Sequence, residues 1–241
     1  MNDLKILFKL TTRERPDNAI TTLKSIYRNV SSSNYDILVT LDADDETAEQ
    51  LHFRITGEKQ KPFNNIHFRM RLSKNKVDAI NRDVNEFTFK WDILVNVSDD
   101  QVFTEKGFDN DIREAFLNNG HRTESGAIVS NTFLLYNLDQ VIHFPDNHRA
   151  DLMTMSIIGY DAYKRDNYIY NPEYFGQFCD NEAQVVAQKR GIYKFVDKVI
   201  FHHNHPNYIG GDRDNLYKRY DALFNKDYET FTRRQANNFY L

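Results

Sequence analysis

Apolar and polar positions alternate along the first hundred residues with two periods. Short runs rich in aliphatic and β-branched side chains are separated by longer stretches whose apolar residues recur every three or four positions. Lys5–Leu10 reads as a first strand, Thr11–Pro16 as the loop at its carboxyl end, and Asp17–Val30 as a helix with Ile20, Leu23, Ile26 and Tyr27 on one face. Ser31–Asn34 breaks that pattern. Tyr35–Leu41 then reads as a second strand running into Asp42-Ala43-Asp44-Asp45, Glu46–Phe53 as a helix and Gly57–Asn65 as a loop. Ile66–Leu72, Asn75–Glu86 and Trp91–Val97 complete the series as strand, helix and strand. This alternation predicts repeated βα units, and so an α/β fold with a mostly parallel central sheet flanked by helices.

In open sheets of this kind, ligands bind beyond the carboxyl ends of the strands. Three of the four predicted strands end in polar clusters there: Thr11–Arg15, Asp42–Asp45 and Ser98–Asp100. The run Ile93-Leu94-Val95-Asn96-Val97-Ser98 delivers two adjacent carboxylates, Asp99 and Asp100, to its end. Mg²⁺ and Mn²⁺ take hard oxygen ligands and commonly combine one or two carboxylates with substrate phosphates, so a rigid strand end suits them. A solvated acidic turn is the plainer use of such a pair. The gathering of three polar strand ends on one sheet edge is what favours a nucleotide site. No Gly-x-Gly-x-x-Gly follows the first strand and no Gly-x-x-x-x-Gly-Lys-Ser/Thr occurs, which disfavours dinucleotide and P-loop chemistry.

Composition narrows the classes further. The chain has 241 residues, 40% hydrophobic and 14% aromatic, enough for a substantial core. A net charge of −4 and a pI of about 6.1 give no overall basic field of the kind that marks a dedicated nucleic-acid binder. Cys179 is the sole cysteine, so an internal disulfide is excluded and a thiolate zinc site lacks partners. The start Met1-Asn2-Asp3-Leu4-Lys5 lacks the apolar core of a secretory leader, and no apolar run approaches the roughly 18 residues of a spanning helix. The expectation is a cytoplasmic protein with no transmembrane segment.

The order strand, Thr-Thr-Arg-Glu-Arg-Pro (11–16), helix, strand ending in Asp42, Lys74-Asn75-Lys76-Val77-Asp78-Ala79-Ile80-Asn81, and Ser98-Asp99-Asp100 resembles the nucleotide-sugar half of a GT-A glycosyltransferase. It is similar to family 2, and to some related viral enzymes. The likeness continues through Gln177–Val185, which resembles the acidic acceptor-side motif with Asp180 at the general-base position. Phe201-His202-His203-Asn204-His205-Pro206 resembles the late histidine segment that completes the metal site.

The resemblance implies a Rossmann-like GT-A domain over residues 1–241, with a nucleotide-sugar half at 1–103, a smaller mixed acceptor and catalytic half at 104–206 and a helical tail at 207–241. It implies a metal-dependent transfer of a hexosyl or pentosyl group from a nucleotide-sugar, UDP-linked, to an acceptor hydroxyl. The acceptor would be a saccharide or a hydroxylated base in DNA. In this scheme Thr11 and Arg13 line the nucleotide pocket, and Asp42 accepts a hydrogen bond from a base N–H or ribose hydroxyl. Lys76 and Asn81 reach the diphosphate or sugar. Asp100 holds Mn²⁺ or Mg²⁺, Asp99 assists directly or through water, and His203 and His205 complete the site. Asp180 removes the acceptor proton, with inversion at the anomeric carbon. Ser98, or Val97 in another alignment, stands where the family's Asp-x-Asp motif has its first acid.

The same residues have other uses. Cys179–Lys189 reads as a helix with Asp180 and Glu182 in its first turn, where the helix dipole favours acids. The histidines follow an apolar run, Phe195–Phe201; alternation puts His203 and His205 on one face and His202 on the other, and Pro206 turns the chain away after His205. Hydrogen bonding at a strand end would satisfy them equally, and Lys76 would sit as well on a solvated helix face. The segment His143–Tyr174, rich in Tyr, Asp and Asn, can stack on a sugar or base or simply pack. The stretch 208–241 interleaves Arg213, Lys218, Arg219, Lys226, Arg233 and Arg234 with aromatic residues, but Asp212, Asp214, Asp221, Asp227 and Glu229 dilute that charge, so it reads as an amphipathic closing helix. A nucleotidyltransferase, or a sugar- or nucleic-acid-binding module without catalysis, would fit the same frame.

Overall fold

A computed structural model describes residues 4–57, 65–118, 136–210 and 214–241. Most of the predicted loop at 57–65, together with Asp212 and Arg213, lies outside the described residues. The predicted alternation is present as β1 (Ile6–Thr12), α1 (Pro16–Asn29), β2 (Tyr35–Asp42), α2 (Ala48–Thr56), β3 (Ile66–Arg71), α3 (Lys76–Asn81) and β4 (Ile93–Ser98). Thereafter the chain forms β5 (Gln101–Phe103), α4 (Phe108–Ala115), β6 (Val141–His143), β7 (Ile157–Gly159), α5 (Tyr160–Asp166), α6 (Cys179–Lys189), β8 (Tyr193–Phe195) and β9 (Phe201–His203). Three helices follow, α7 (Pro206–Ile209), α8 (Asn215–Asp221) and α9 (Phe224–Ala236). Among the described residues, no helix is long and apolar enough to cross a membrane.

Seven of the described strands form one sheet in the order β3-β2-β1-β4-β7-β6-β8. The first four are mutually parallel, β7 runs antiparallel to both β4 and β6, and β8 lies parallel to β6. Successive residues of a strand face opposite ways, and each face has its own core. Ile6, Phe8 and Leu10 of β1 join Ile37, Val39, Leu41, Ile93, Val95 and Val97 on the face covered by α1, while Leu7, Leu38 and Leu94 pack with Val77 and Ile80 of α3 on the other. Both faces are covered, so these strands read as continuous apolar runs rather than alternating ones. Each fully buried Phe, Leu or Ile in these layers contributes about 1.5–3 kcal/mol.

The sequence pattern overreaches at α3, which ends at Asn81 rather than continuing to Glu86. Asn75 caps its start by accepting from the Asp78 amide at 2.8 Å, but Arg82 turns extended with a ψ of 161° and ends the helix, and Asp83 follows with a left-handed φ of 73°. The turn places the buried Asp83 carboxylate beneath Thr40, whose hydroxyl donates to it at 2.8 Å. Val84 and Phe87, which carry the apparent helical periodicity onward, are buried all the same. Thr11 and Thr12, expected in the loop, prolong β1 and pair in register with Thr40 and Leu41.

Candidate active site

The strand order places β1 between β2 and β4, so the carboxyl ends carrying Thr11–Arg15, Asp42–Asp45 and Ser98–Asp100 meet on one edge. A cleft of about 660 Å³ opens there, lined on the first-half side by Thr11, Arg13, Asp42, Lys76, Asp99 and Asp100. Its opposite wall includes Asp180, His203 and His205.

Two-stranded pairing of β5 with β9 brings the late histidine to the acidic pair. Gln101 lies opposite His203 in register, and the Asn204 amide donates to the Asp100 carbonyl at 2.8 Å. His203 Nε2 then lies 3.5 Å from Asp100 Oδ1, while His203 Nδ1 lies 3.3 Å from Asp146 Oδ2. Asp146 is itself fixed, accepting from the amides of His148 and Arg149 at 2.7 and 2.8 Å and from the Thr154 hydroxyl at 3.0 Å. Burial opposes charge on His203, but the two carboxylates outweigh it and push its pKa up to about 9. Burial likewise opposes charge on Asp100, which is nevertheless held well below the usual carboxylate range, chiefly by His203.

The two acids of the pair are used differently. Asp99 accepts from the Thr12 hydroxyl at 2.7 Å and from Arg15 Nη1 at 3.3 Å, and burial followed by the neighbouring Asp100 pushes its pKa up to about 6. Asp100 Oδ2 accepts from the Tyr217 hydroxyl at 2.8 Å. Asp100 Oδ1 is buried without a hydrogen bond, 3.5 Å from His203 Nε2. A buried carboxylate oxygen left in this way, beside an imidazole oriented by a second carboxylate, fits a divalent cation that takes its remaining ligands from phosphate and water. Among the described residues, no group of three His, Cys, Asp or Glu side chains is poised to hold a metal by itself. His205 is not brought into such a group, for its Nδ1 accepts from the Asn207 amide at 3.2 Å to cap α7, and its ring packs edge-on against Tyr217.

The nucleotide side is built around Asp42. Arg13 Nη1 donates to Asp42 Oδ2 at 3.1 Å and to Asp44 at 2.6 Å, and the Ser73 hydroxyl donates to Asp42 Oδ1. Beneath them the fully buried Lys9 ammonium donates to Thr11 Oγ1, Thr40 Oγ1 and the Ala79 carbonyl at 3.1, 2.6 and 3.0 Å, which uses all three of its protons and ties β1, β2 and α3 together. Burial lowers its pKa to about 7. Asn81, expected at the diphosphate or sugar, does not line the cleft. Its amide donates to the Tyr170 carbonyl at 2.6 Å and accepts from the Ile169 and Tyr170 amides, so it fastens the second half to α3.

Lys76 and Asp180 face the cleft from opposite halves. Burial opposes the Lys76 charge, but Tyr220, Cys179, Asp100 and Asp180, in that order of effect, raise its pKa. Asp180 lies in the first turn of α6 and accepts from the Asn181 amide at 2.9 Å; burial pushes its pKa up against the pull of Lys76. A carboxylate with raised proton affinity at a cleft wall suits proton abstraction.

Five site residues are not singled out by the sequence: Lys9, Arg15, Ser73, Asp146 and Tyr217. In the sequence Arg15 stands out only as part of a polar strand end, and Tyr217 only as one of the aromatic residues of the tail. The tail folds back over the strand ends, where Arg15 donates to Asp214 at 2.7 and 2.9 Å and its guanidinium lies 4.2 Å from the centroid of the Tyr217 ring. These partners are far apart in the chain, and no local spacing announces them.

The fold has counterparts among solved structures. A mannosyltransferase from Pyrobaculum calidifontis, PcManGT, in complex with GDP-Man and Mn²⁺ matches 86% of this chain and 59% of its own with a TM-score of 0.65 at 10% identity. TarS of S. aureus matches 84% of this chain and 37% of its own, with a TM-score of 0.57 at 12% identity. TarS 1-349 in complex with UDP matches 83% and 60%, with a TM-score of 0.58 at 10% identity. The fold is that of the GT-A glycosyltransferases. This chain spans only about 37–60% of the length of these GT-A structures. No protein-family model and no curated protein matches the sequence.

Proposed function

We propose that this GT-A chain is a metal-dependent, family 2-like glycosyltransferase that moves a sugar from a UDP-linked donor to an acceptor hydroxyl with inversion. The observation that carries this reading is the convergence of the Asp100–His203 pair, the Asp42 pocket and Asp180 on one cleft at the carboxyl edge of the sheet. Mn²⁺ or Mg²⁺ held by Asp100 and His203 would neutralise charge on the leaving diphosphate. Arg13, Asp42 and Ser73 would hold the nucleoside, with Thr11 as wall. Lys76 would place a second cation near the phosphates. Asp180 would accept the acceptor's hydroxyl proton as that oxygen bonds to the anomeric carbon and the bond from that carbon to the diphosphate oxygen breaks. Asp99 would act through Thr12 and Arg15, holding the turn that presents Asp100. A two-metal nucleotidyl transfer is less well supported, because among the described residues no third ligand joins Asp100 and His203.

Calorimetric titration of UDP in the presence of Mn²⁺ tests the reading. Wild type should bind UDP only with the metal present, and Asp100→Ala should weaken that binding by at least about tenfold. Metal-independent binding, or binding undiminished in the variant, would overturn it.

A further inference from the structure

The wall of the cleft around Asp180 is aromatic. Phe178, two residues before Asp180, occupies the position preceding α6 with a left-handed φ of 60°, a conformation that bulky residues rarely adopt. That backbone turns its ring into the cleft, edge-on to Phe224 of α9 at 5.0 Å between centroids. Phe224 also lines the cleft, is 47% exposed, and lies parallel to the exposed ring of Tyr228 within 7°. The platform is anchored to the loop before α6, because the fully buried Asp227 of α9 accepts from the amides of Phe175, Gly176 and Gln177 at 2.8, 2.9 and 2.7 Å. An exposed apolar ring on an anchored helix, in the cleft that holds a proposed base, is a surface for the apolar face of a ring-shaped substrate.

Charge separates the two kinds of ring the cleft could take. A base presented by DNA brings its phosphodiesters, which must be met by free Arg or Lys. The arginines of α8 and α9 are already engaged: Arg219 with Glu14 at 2.5 Å, Arg233 with Glu173, and Arg234 with Glu182 at 2.8 Å. Arg149, which reaches the same wall, is paired to Asp151 at 2.7 Å, so Lys218 and Lys226, the latter over the Phe175 ring at 4.0 Å, are the two cations that α8 and α9 keep for phosphates. A neutral ring meets no such requirement.

We infer that Phe224, backed by Phe178, forms the floor of an acceptor subsite for a neutral saccharide. The assignment of this subsite to the acceptor rests on the glycosyltransferase reading; the binding of a saccharide there does not. Saturation-transfer NMR on the full chain, with UDP and Mn²⁺ present, would use cellobiose, maltose, lactose and chitobiose as probes beside a single-stranded oligonucleotide containing 5-hydroxymethylcytosine. At least one disaccharide should show transfer, Phe224→Ala should weaken its binding about tenfold, Phe224→Trp should retain it, and UDP–Mn²⁺ affinity should be unchanged in both variants. UDP binding without any disaccharide transfer would overturn the subsite alone. Disaccharide transfer lost in Phe224→Ala, in a protein that does not bind UDP, would sustain the subsite and sink the donor reading. Transfer indifferent to Phe224, or Phe224-dependent binding of the oligonucleotide in place of the sugars, would also overturn the subsite.

Discussion

Replacing His203 by glutamine should cost folding free energy that depends on pH in a defined direction. The imidazole is only 12% exposed and lies between Asp100 and Asp146, which raise its pKa from 6.5 to about 9. At about 1.4 kcal/mol per pKa unit, this corresponds to at most roughly 3 kcal/mol of stabilisation from the protonated ring. A folded-state pKa raised above the unfolded value gives stability that is fully present below about 6.5 and is lost as pH rises through about 9. Both carboxylates are held low and stay ionised across this interval, so they add no slope of their own. Urea denaturation of wild type and His203→Gln in EDTA, at intervals from pH 6 to pH 10, isolates the effect because groups common to both proteins cancel. The wild-type advantage should be about 2–3 kcal/mol at pH 6 and fall below about 1 kcal/mol at pH 10. An advantage that stays constant or widens with pH would refute the placement of a charged His203 between two carboxylates.

Lys9→Met should show the opposite slope. The buried ammonium has its pKa lowered from 10.5 to about 7, so the unfolded chain binds the extra proton between those values, and the wild-type advantage over Lys9→Met should grow from pH 7 to pH 10 in the same urea assay; a shrinking advantage would show that Lys9 is not desolvated. Tyr217→Phe removes the hydroxyl that pins Asp100 Oδ2 and should weaken Mn²⁺ binding, followed by electron paramagnetic resonance, about tenfold to a hundredfold. Equal affinities would show that the tyrosine does not position that carboxylate. Asp180→Asn should lower kcat for sugar transfer by about 10²–10⁴ while the donor KM changes little, as for loss of a general base; a kcat within threefold of wild type would remove Asp180 from that role.

The parallel half of the fold was legible because β1, β2 and β4 are buried on both faces and therefore advertise themselves as apolar runs ending in polar clusters. Their order in space was legible only in part: β1, β2 and β3 lie side by side in chain order, but β4 crosses to the far side of β1. The pattern over Asn75–Glu86 overextends the helix because periodicity reports burial, and Val84 and Phe87 stay buried after the extended Arg82 has ended it. At the site, the adjacency of Asp99 and Asp100 is local and could be read, whereas the orientation of His203 by Asp146 depends on a pairing across 57 residues. Asn81 was misplaced for a related reason. Its neighbours in sequence line the cleft, but helical geometry turns its amide toward Ile169 and Tyr170.

The hydrogen bond from Tyr217 to Asp100 closes a separation of 117 residues, and it bears on how the protein is made. At about 5–20 residues per second of synthesis, roughly ten seconds pass between emergence of the acidic pair and of the tyrosine that pins it. Through that interval the nascent sheet carries two neighbouring carboxylates, without Tyr217 on one of them and without the histidine that faces it. The edge that the proposed function assigns to a cation is therefore completed only after both halves of the chain have been made.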